Sequence, residues 1–150
     1  MPYVVEVDQS GKIGDTKVPT VLAFSNGDSY AVLIPAAVKR AYLRELRQRG
    51  KSGTTLYLQL FATGLYLLLK DHIQDLSQVT IDVEYPGHNV EIKLYLLNLL
   101  RRAGITVPAA RIQFQRIGKK SGAHKRAKAV FIGAAEADQI IELGEILAEF

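Results

Sequence analysis

The chain has 150 residues, of which 48% are apolar and 23% charged, with no cysteine and a formal net charge of +4. That length suits a single domain, 1–150, able to bury roughly 70% of its unfolded surface, and the composition excludes a disordered polar chain. The lack of cysteine excludes disulfides, thiolate zinc sites and thiol catalysis, and it fits a reducing compartment.

Met1-Pro2-Tyr3 leads straight into a strand-like run, so no signal peptide is expected. The longest apolar stretch, Leu56 to Leu69, is interrupted by Gln59, Thr63 and Gly64 and is short for a bilayer span. A cytoplasmic protein without membrane association is therefore expected.

Tyr3 to Asp8 is β-branched and ends at the turn residues Gln9-Ser10-Gly11, which predicts a first strand. Lys17 to Ser25 predicts a second, and Asn26-Gly27-Asp28 predicts a hairpin turn into a third, Ser29 to Ile34. From Ala36 the period changes. Val38, Ala41, Tyr42 and Leu46 form a helical stripe that stops at Gly50 and Gly53. Leu56 to Ile73 opens with strand-like alternation, but its length predicts a buried helix.

Val79 to Tyr85 predicts the fourth strand, closed by Pro86-Gly87. Asn89 is placed to cap a helix reaching about Arg102, with Ile92, Tyr95, Leu96, Leu99 and Leu100 on its apolar face. Arg111 to Ile117 predicts a fifth strand and Gly118 to Gly122 a loop. A last helix is expected from near Ser121 to the C-terminus, with Ala123, Ala127, Val130, Ala134, Ala137 and Ile141 as its stripe. The expected fold is α/β: a mixed five-stranded sheet, three initial strands followed by alternating helix and strand, with helices on both faces.

Side chains alternate along a strand, so Val4, Glu6 and Asp8 share one face of the first strand, and Thr80, Asp82 and Glu84 share one face of the fourth. An ionised carboxylate on such an apolar strand is costly unless paired or bound to metal. If the two strands are parallel neighbours, Asp8 and Asp82 meet near their carboxyl ends, where α/β sheets place ligands. Such acids suit Mg²⁺ or Mn²⁺, and two of these ions ~4 Å apart assist phosphodiester cleavage. The bland counterpart is that Asp8 caps its turn and Asp82 pairs with a lysine or arginine. Glu84 is either a third ligand or a solvated residue where the strand leaves the sheet. Glu6 is expected to face out or to form an ion pair, Glu45 to pair with Arg49, and Glu91 to pair with a lysine.

Between Arg111 and Lys128 lie seven lysines and arginines and no acid. Lys119, Lys120, Lys125 and Arg126 gather at a helix N-terminus, which favours anions, and are candidates for holding phosphates. A solvated basic loop is the alternative. His124, in the first turn of that helix, is a candidate metal ligand or proton shuttle beside the strand acids, although a lone histidine is more often structural. Asp138, over three turns further along one continuous helix, is expected roughly 20 Å away and outside that centre.

Together these features resemble the ribonuclease H-like superfamily, which includes Holliday-junction resolvases. The resemblance rests on element order and on Val7-Asp8-Gln9-Ser10-Gly11, Ile81-Asp82-Val83-Glu84-Tyr85 and Ala123-His124. It implies that the first and fourth strands are parallel neighbours, that Asp8 and Asp82 are metal ligands, and that His124 serves the same centre from the last helix. It departs from the pattern in the remaining acid, for which Glu45 and Glu84 are the candidates, and in Ala127, where resolvases carry an aspartate. The implied activity is that of a Mg²⁺- or Mn²⁺-dependent nuclease on structured nucleic acid, with a homodimer if the resolvase subclass applies. In that reading Asp8, Asp82, Glu84 and His124 are catalytic and the first three hold metal. The rival expectations are a non-catalytic nucleic-acid-binding module on the same fold, and an oligomeric interaction domain that uses Leu56–Leu69 as its interface.

Overall fold

Val5 and Val7 alternate with Glu6 and Asp8 along the first strand, and this alternation sorts the two sides of the sheet. In the computed structural model, which describes residues 4–26 and 28–149, β1 (Val4–Ser10) buries Val5 and Val7 completely and turns Val4 and Glu6 to solvent. Tyr3, expected to open this strand, and Gly27, expected in the hairpin turn, lie outside the described residues.

β2 (Thr20–Ser25) and β3 (Ser29–Ile34) follow as antiparallel partners, with Phe24 opposite Tyr30 and Leu22 opposite Val32. α1 (Ala36–Gln48) and α2 (Thr54–Leu69) come next, then β4 (Gln78–Asp82), α3 (Asn89–Arg102), β5 (Ile112–Gln115) and α4 (Gly122–Phe131). The sheet order is β5-β4-β1-β2-β3-β6, where β6 is the dipeptide Gln139–Ile140. β4 lies parallel to β1 and β5 parallel to β4, while β2 runs antiparallel to both of its neighbours, β1 and β3. The α/β class and the mixed sheet are as expected, with one strand more than the five predicted.

The extra strand exists because the last helix is shorter than its small-residue stripe implies. α4 stops at Phe131, and Gly133, at φ 82°, supplies the left-handed turn that ends it. The chain then returns to the free edge of β3, where Asp138 N donates to Ala31 O and Ile141 N to Leu33 O. Ala134, Ala137 and Ile141 therefore lie beyond the helix, and α5 (Leu143–Leu147) is a separate short helix. The expectation of one helix to the terminus is corrected accordingly, and so is the rise-per-residue distance to Asp138.

α2 is apolar all round and buried along most of its length, as such a helix must be. Gly64 allows its close approach to the sheet, because a Cβ there would lie 2.7 Å from Leu22 Cδ1 and 3.1 Å from Ile34 Cδ1. The segment Leu56–Leu69 is thus the central core element rather than a subunit interface. The opposite face of the sheet carries small side chains, Ala23 and Ala31, on which Ala127 and Val130 of α4 rest. That shallow packing brings the start of α4 close to β1. No helix among the described residues is long and apolar enough to cross a membrane.

Candidate metal centre

Register sets the site. β1 and β4 pair with Glu6 opposite Thr80 and Val7 opposite Ile81, so the next step along both strands brings Asp8 beside Asp82 at their carboxyl ends. β4 ends at Asp82, whose last pairing is with Gln115 of β5. Glu84 is therefore not on the strand, as the sequence led us to expect, but in the turn that follows, and it still reaches the same place. Ligand oxygens of Asp8, Asp82 and Glu84 all lie within 4.8 Å of one another.

Each acid is held by specific donors. Gln9 N donates to Asp8 Oδ1 at 2.8 Å, and His124 Nδ1 donates to Asp8 Oδ2 at 2.9 Å, the direction an ionised carboxylate requires. Ile117 N donates to Asp82 Oδ1 at 2.7 Å, so the residue that leaves β5 fixes the second acid. Asp82 is thus held by a backbone amide rather than by the lysine or arginine partner weighed from sequence. Among the described residues, no lysine or arginine forms an ion pair with any of the three acids.

The electrostatics follow from crowding and burial. Asp8 is 5% exposed, and desolvation raises its carboxyl above the usual range against the opposing hydrogen bonds from Gln9 and His124. Glu84 is pushed up to about 8, first by burial, then by its hydrogen bond to Asp82 and by the charges of Asp82 and Asp8. Val7, Leu22, Phe61 and Ile81 line the cleft beside the acids and keep it apolar. The side chain of Gln9 gives a hydrogen bond that favours ionised Glu84, while its Oε1 is buried without a partner. Three carboxylate oxygens with no lysine or arginine to neutralise them form a donor set suited to a hard divalent cation.

A groove of about 480 Å³ opens beside the cluster and shares Gln9 and Glu84 with it. Lys12, Tyr57 and Tyr85 line its further part. The Tyr85 hydroxyl is pushed up to about 12 by burial and by the neighbouring Glu84 and Tyr57. None of Gln9, Lys12 and Tyr57 was singled out from sequence. Gln9 adjoins Asp8, which was the one available signal, and Tyr57 sits in what reads only as an apolar run.

The remaining candidates divide. His124 reaches Asp8 from α4, whose N-terminus is capped by Ser121 Oγ accepting from Ala123 N at 3.2 Å. Lys119, Lys120 and Lys125 are exposed, on the loop after Ile117 and in the first turn of α4. Arg126 does not join them. Its guanidinium pairs with Asp138 at 3.0 Å and donates to Glu136 O at 2.9 Å, tying α4 to the segment before β6. Glu45 pairs with Arg49 as expected and stays apart from the acids, whereas Glu91 pairs with His88 rather than with a lysine. Glu6 is exposed. Asn89 does not cap α3, since the cap position is His88 with no side-chain bond. Comparison of the chain with family models, with curated proteins and with solved structures finds no match.

Proposed function

We propose that the chain is a Mg²⁺- or Mn²⁺-dependent phosphodiesterase acting on nucleic acid, built on a ribonuclease H-like sheet. One observation carries the reading: Asp8 and Asp82, from the ends of two parallel neighbouring strands, and Glu84, from the turn after the second, gather within 4.8 Å with no lysine or arginine to neutralise them. The order β5-β4-β1-β2-β3 supports the ribonuclease H-like assignment, because that superfamily sets its first and fourth strands side by side with an acid on each. Gln9 Oε1, buried beside the acids without a partner, supports a bound group carrying a hydrogen-bond donor, such as metal-held water or a substrate hydroxyl.

In this reading Asp8, Asp82 and Glu84 hold the ion. Bound there, the ion would supply charge stabilisation to the phosphoryl oxygens and would ease deprotonation of the attacking water. His124 fixes one oxygen of Asp8 through Nδ1, which leaves Nε2 of a side chain 28% exposed to exchange a proton at the mouth of the site. Lys119, Lys120 and Lys125 neutralise the nucleic-acid backbone beside it, and the groove lined by Lys12, Tyr57 and Tyr85 leads substrate to the acids.

The test is cleavage of labelled single-stranded, duplex, RNA–DNA hybrid and four-way-junction substrates in Mg²⁺ and in Mn²⁺. Wild type is run beside Asp8→Asn and Asp82→Asn, each checked for folding by circular dichroism. Cleavage by wild type alone is expected, at least about a hundredfold above either variant. Salt-dependent retardation without cleavage by any of the three proteins would replace the nuclease by a binding module.

A further inference from the structure

Apart from the carboxylates, α1, α2 and α3 leave a cavity of about 490 Å³ between them that shares no lining residue with the carboxylate cluster. Its volume falls in the range that encloses a whole small molecule. The floor is apolar and aromatic: Tyr42, Leu46 and Leu99 are buried, and Tyr95 packs against the same core. Deep in it, the hydroxyls of Tyr42 and Thr63 lie 2.9 Å apart, and Thr63 donates to Gln59 O at 2.8 Å. Those polar groups are satisfied within the chain. The Oε1 of Gln59, a lining residue, is buried and has no hydrogen-bond partner. A buried acceptor of this kind calls for a donor.

The rim is cationic. Arg49, Lys51, Arg101 and Arg102 line it, against the single acid Glu149. Some of these side chains are held in place. Arg49 is braced by Glu45 at 3.1 Å, Arg101 donates to Asn98 Oδ1 at 3.1 Å, and Arg102 donates to Glu149 O at 3.4 Å. Arginines at the ends of α1 and α3 have an ordinary role opposite the helix dipoles. That role explains neither their convergence with Lys51 on one cavity nor the orphaned acceptor on Gln59, which lines it.

We propose that this cavity binds a mononucleotide: a flat heterocycle carrying an N–H donor, with a phosphate attached. The ring lies against Tyr42, Leu46, Tyr95 and Leu99 and gives its N–H to Gln59 Oε1. The phosphate meets Lys51, Arg101 and Arg102. The same chemistry is offered by a free nucleotide and by the 5′-phosphorylated end of a strand.

The experiment is a titration followed by amide nuclear magnetic resonance in EDTA, which removes metal from the carboxylate centre. The probes are AMP, GMP, CMP, UMP, a 5′-phosphorylated trinucleotide and inorganic phosphate. Saturable shifts are expected around Tyr42, Leu46, Tyr95 and Leu99, with at least one nucleotide probe binding more tightly than phosphate. Arg101→Glu, at an exposed position, and Gln59→Leu, which removes an unpaired acceptor, leave the fold intact and each weaken binding roughly tenfold or more. Asp8→Asn leaves it unchanged, so this result stands apart from that of the cleavage test. Binding of the trinucleotide alone identifies strand ends as the source, and binding of mononucleotides alone identifies a free nucleotide. The proposal is overturned if no probe saturates at millimolar concentration, if phosphate binds as tightly as every nucleotide, or if both cavity variants bind like wild type.

Discussion

Lys39 and Glu84 are both ionisable side chains drawn away from water, and both are displaced to about 8, from ordinary values of 10.5 and 4.5. Their surroundings differ in kind. Lys39, fully buried in the first turn of α1, places Nζ 3.1 Å from Lys12 O, 2.7 Å from Asp15 O and 3.0 Å from Thr20 Oγ1. An ammonium has three protons, and here each has an acceptor within the chain. Glu84 instead meets Asp82 and Asp8, groups of its own sign, beside a glutamine oxygen with no partner. A buried charge whose hydrogen bonds close internally belongs to the fold. Buried like charges held together by donors from other elements, without a lysine or arginine beside them, belong to a site.

The largest test of that contrast is Lys39→Met. It strips a donor from two carbonyls and a hydroxyl that fasten the segment between β1 and β2, and it should cost about 3 kcal/mol or more in urea unfolding. Glu84→Gln should go the other way in metal-free buffer. It removes a carboxylate whose ionisation the fold opposes, and a gain of about 1 kcal/mol is expected after allowance for its partial exposure. A stabilising Lys39→Met or a destabilising Glu84→Gln would reverse the assignment of the two regions.

Metal should separate them next. An ion that binds only the folded protein stabilises it by about 2.7 kcal/mol at a hundred times its dissociation constant. Mg²⁺ or Mn²⁺ should therefore raise the unfolding midpoint of wild type and of any folded Lys39 variant, but not that of Asp82→Asn. An equal rise in Asp82→Asn would place the ion elsewhere.

The contrast also explains how far the sequence could be read. Asp8 and Asp82 were legible because each follows an apolar alternating run and needs only parallel pairing to meet its counterpart, a pairing that β1 and β4 make. Glu84 was legible as a residue but not as a position, since alternation assigns it to the strand whereas the strand stops at Asp82. Lys39 was not legible, because a lysine among Arg40, Arg44 and Arg47 reads as part of a solvated face, and two of its three acceptors come from a loop more than twenty residues away. The end of α4 was missed for a different reason. Alanines continue a helical period past Gly133, while the β3 edge that draws the chain away is a tertiary feature. The pairing of Arg126 was missed for the same cause, because its partner Asp138 comes near only when that helix ends.

His124 offers a finer cut within the site. It touches the carboxylate cluster through Asp8 alone, so on the proposed reading His124→Gln should weaken Mn²⁺ affinity roughly 10- to 100-fold, as loss of a ligand-orienting partner does. Asp8→Asn should weaken it more. Calorimetric titration of Mn²⁺ gives the comparison without any need for activity. Equal losses would make His124 a direct ligand rather than a positioning residue.

The smallest effect, of about 1 kcal/mol, is the one that holds the two regions against each other in a single curve. Glu84 binds its proton more tightly in the folded chain than its ordinary value of 4.5 allows. Its contribution to stability is therefore full below pH 4.5 and is lost as the pH rises through about 8, and Asp8, also raised, adds to the same slope. Lys39 binds its proton less tightly in the folded chain than when unfolded, so its contribution grows from about pH 8 toward 10.5. Tyrosine ionisation enters from pH 10 and bounds the useful window above. Metal-free stability measured by urea unfolding should thus fall toward pH 8 and then recover. Glu84→Gln should flatten the lower arm alone and Lys39→Met the upper arm alone. Millimolar Mg²⁺ should reverse the lower arm in wild type, because the ion competes with the proton that Glu84 holds and gains affinity as that proton leaves. A lower arm unchanged by Glu84→Gln would show that the carboxylates are not crowded in solution, and the reading of them as a metal centre would fall with it.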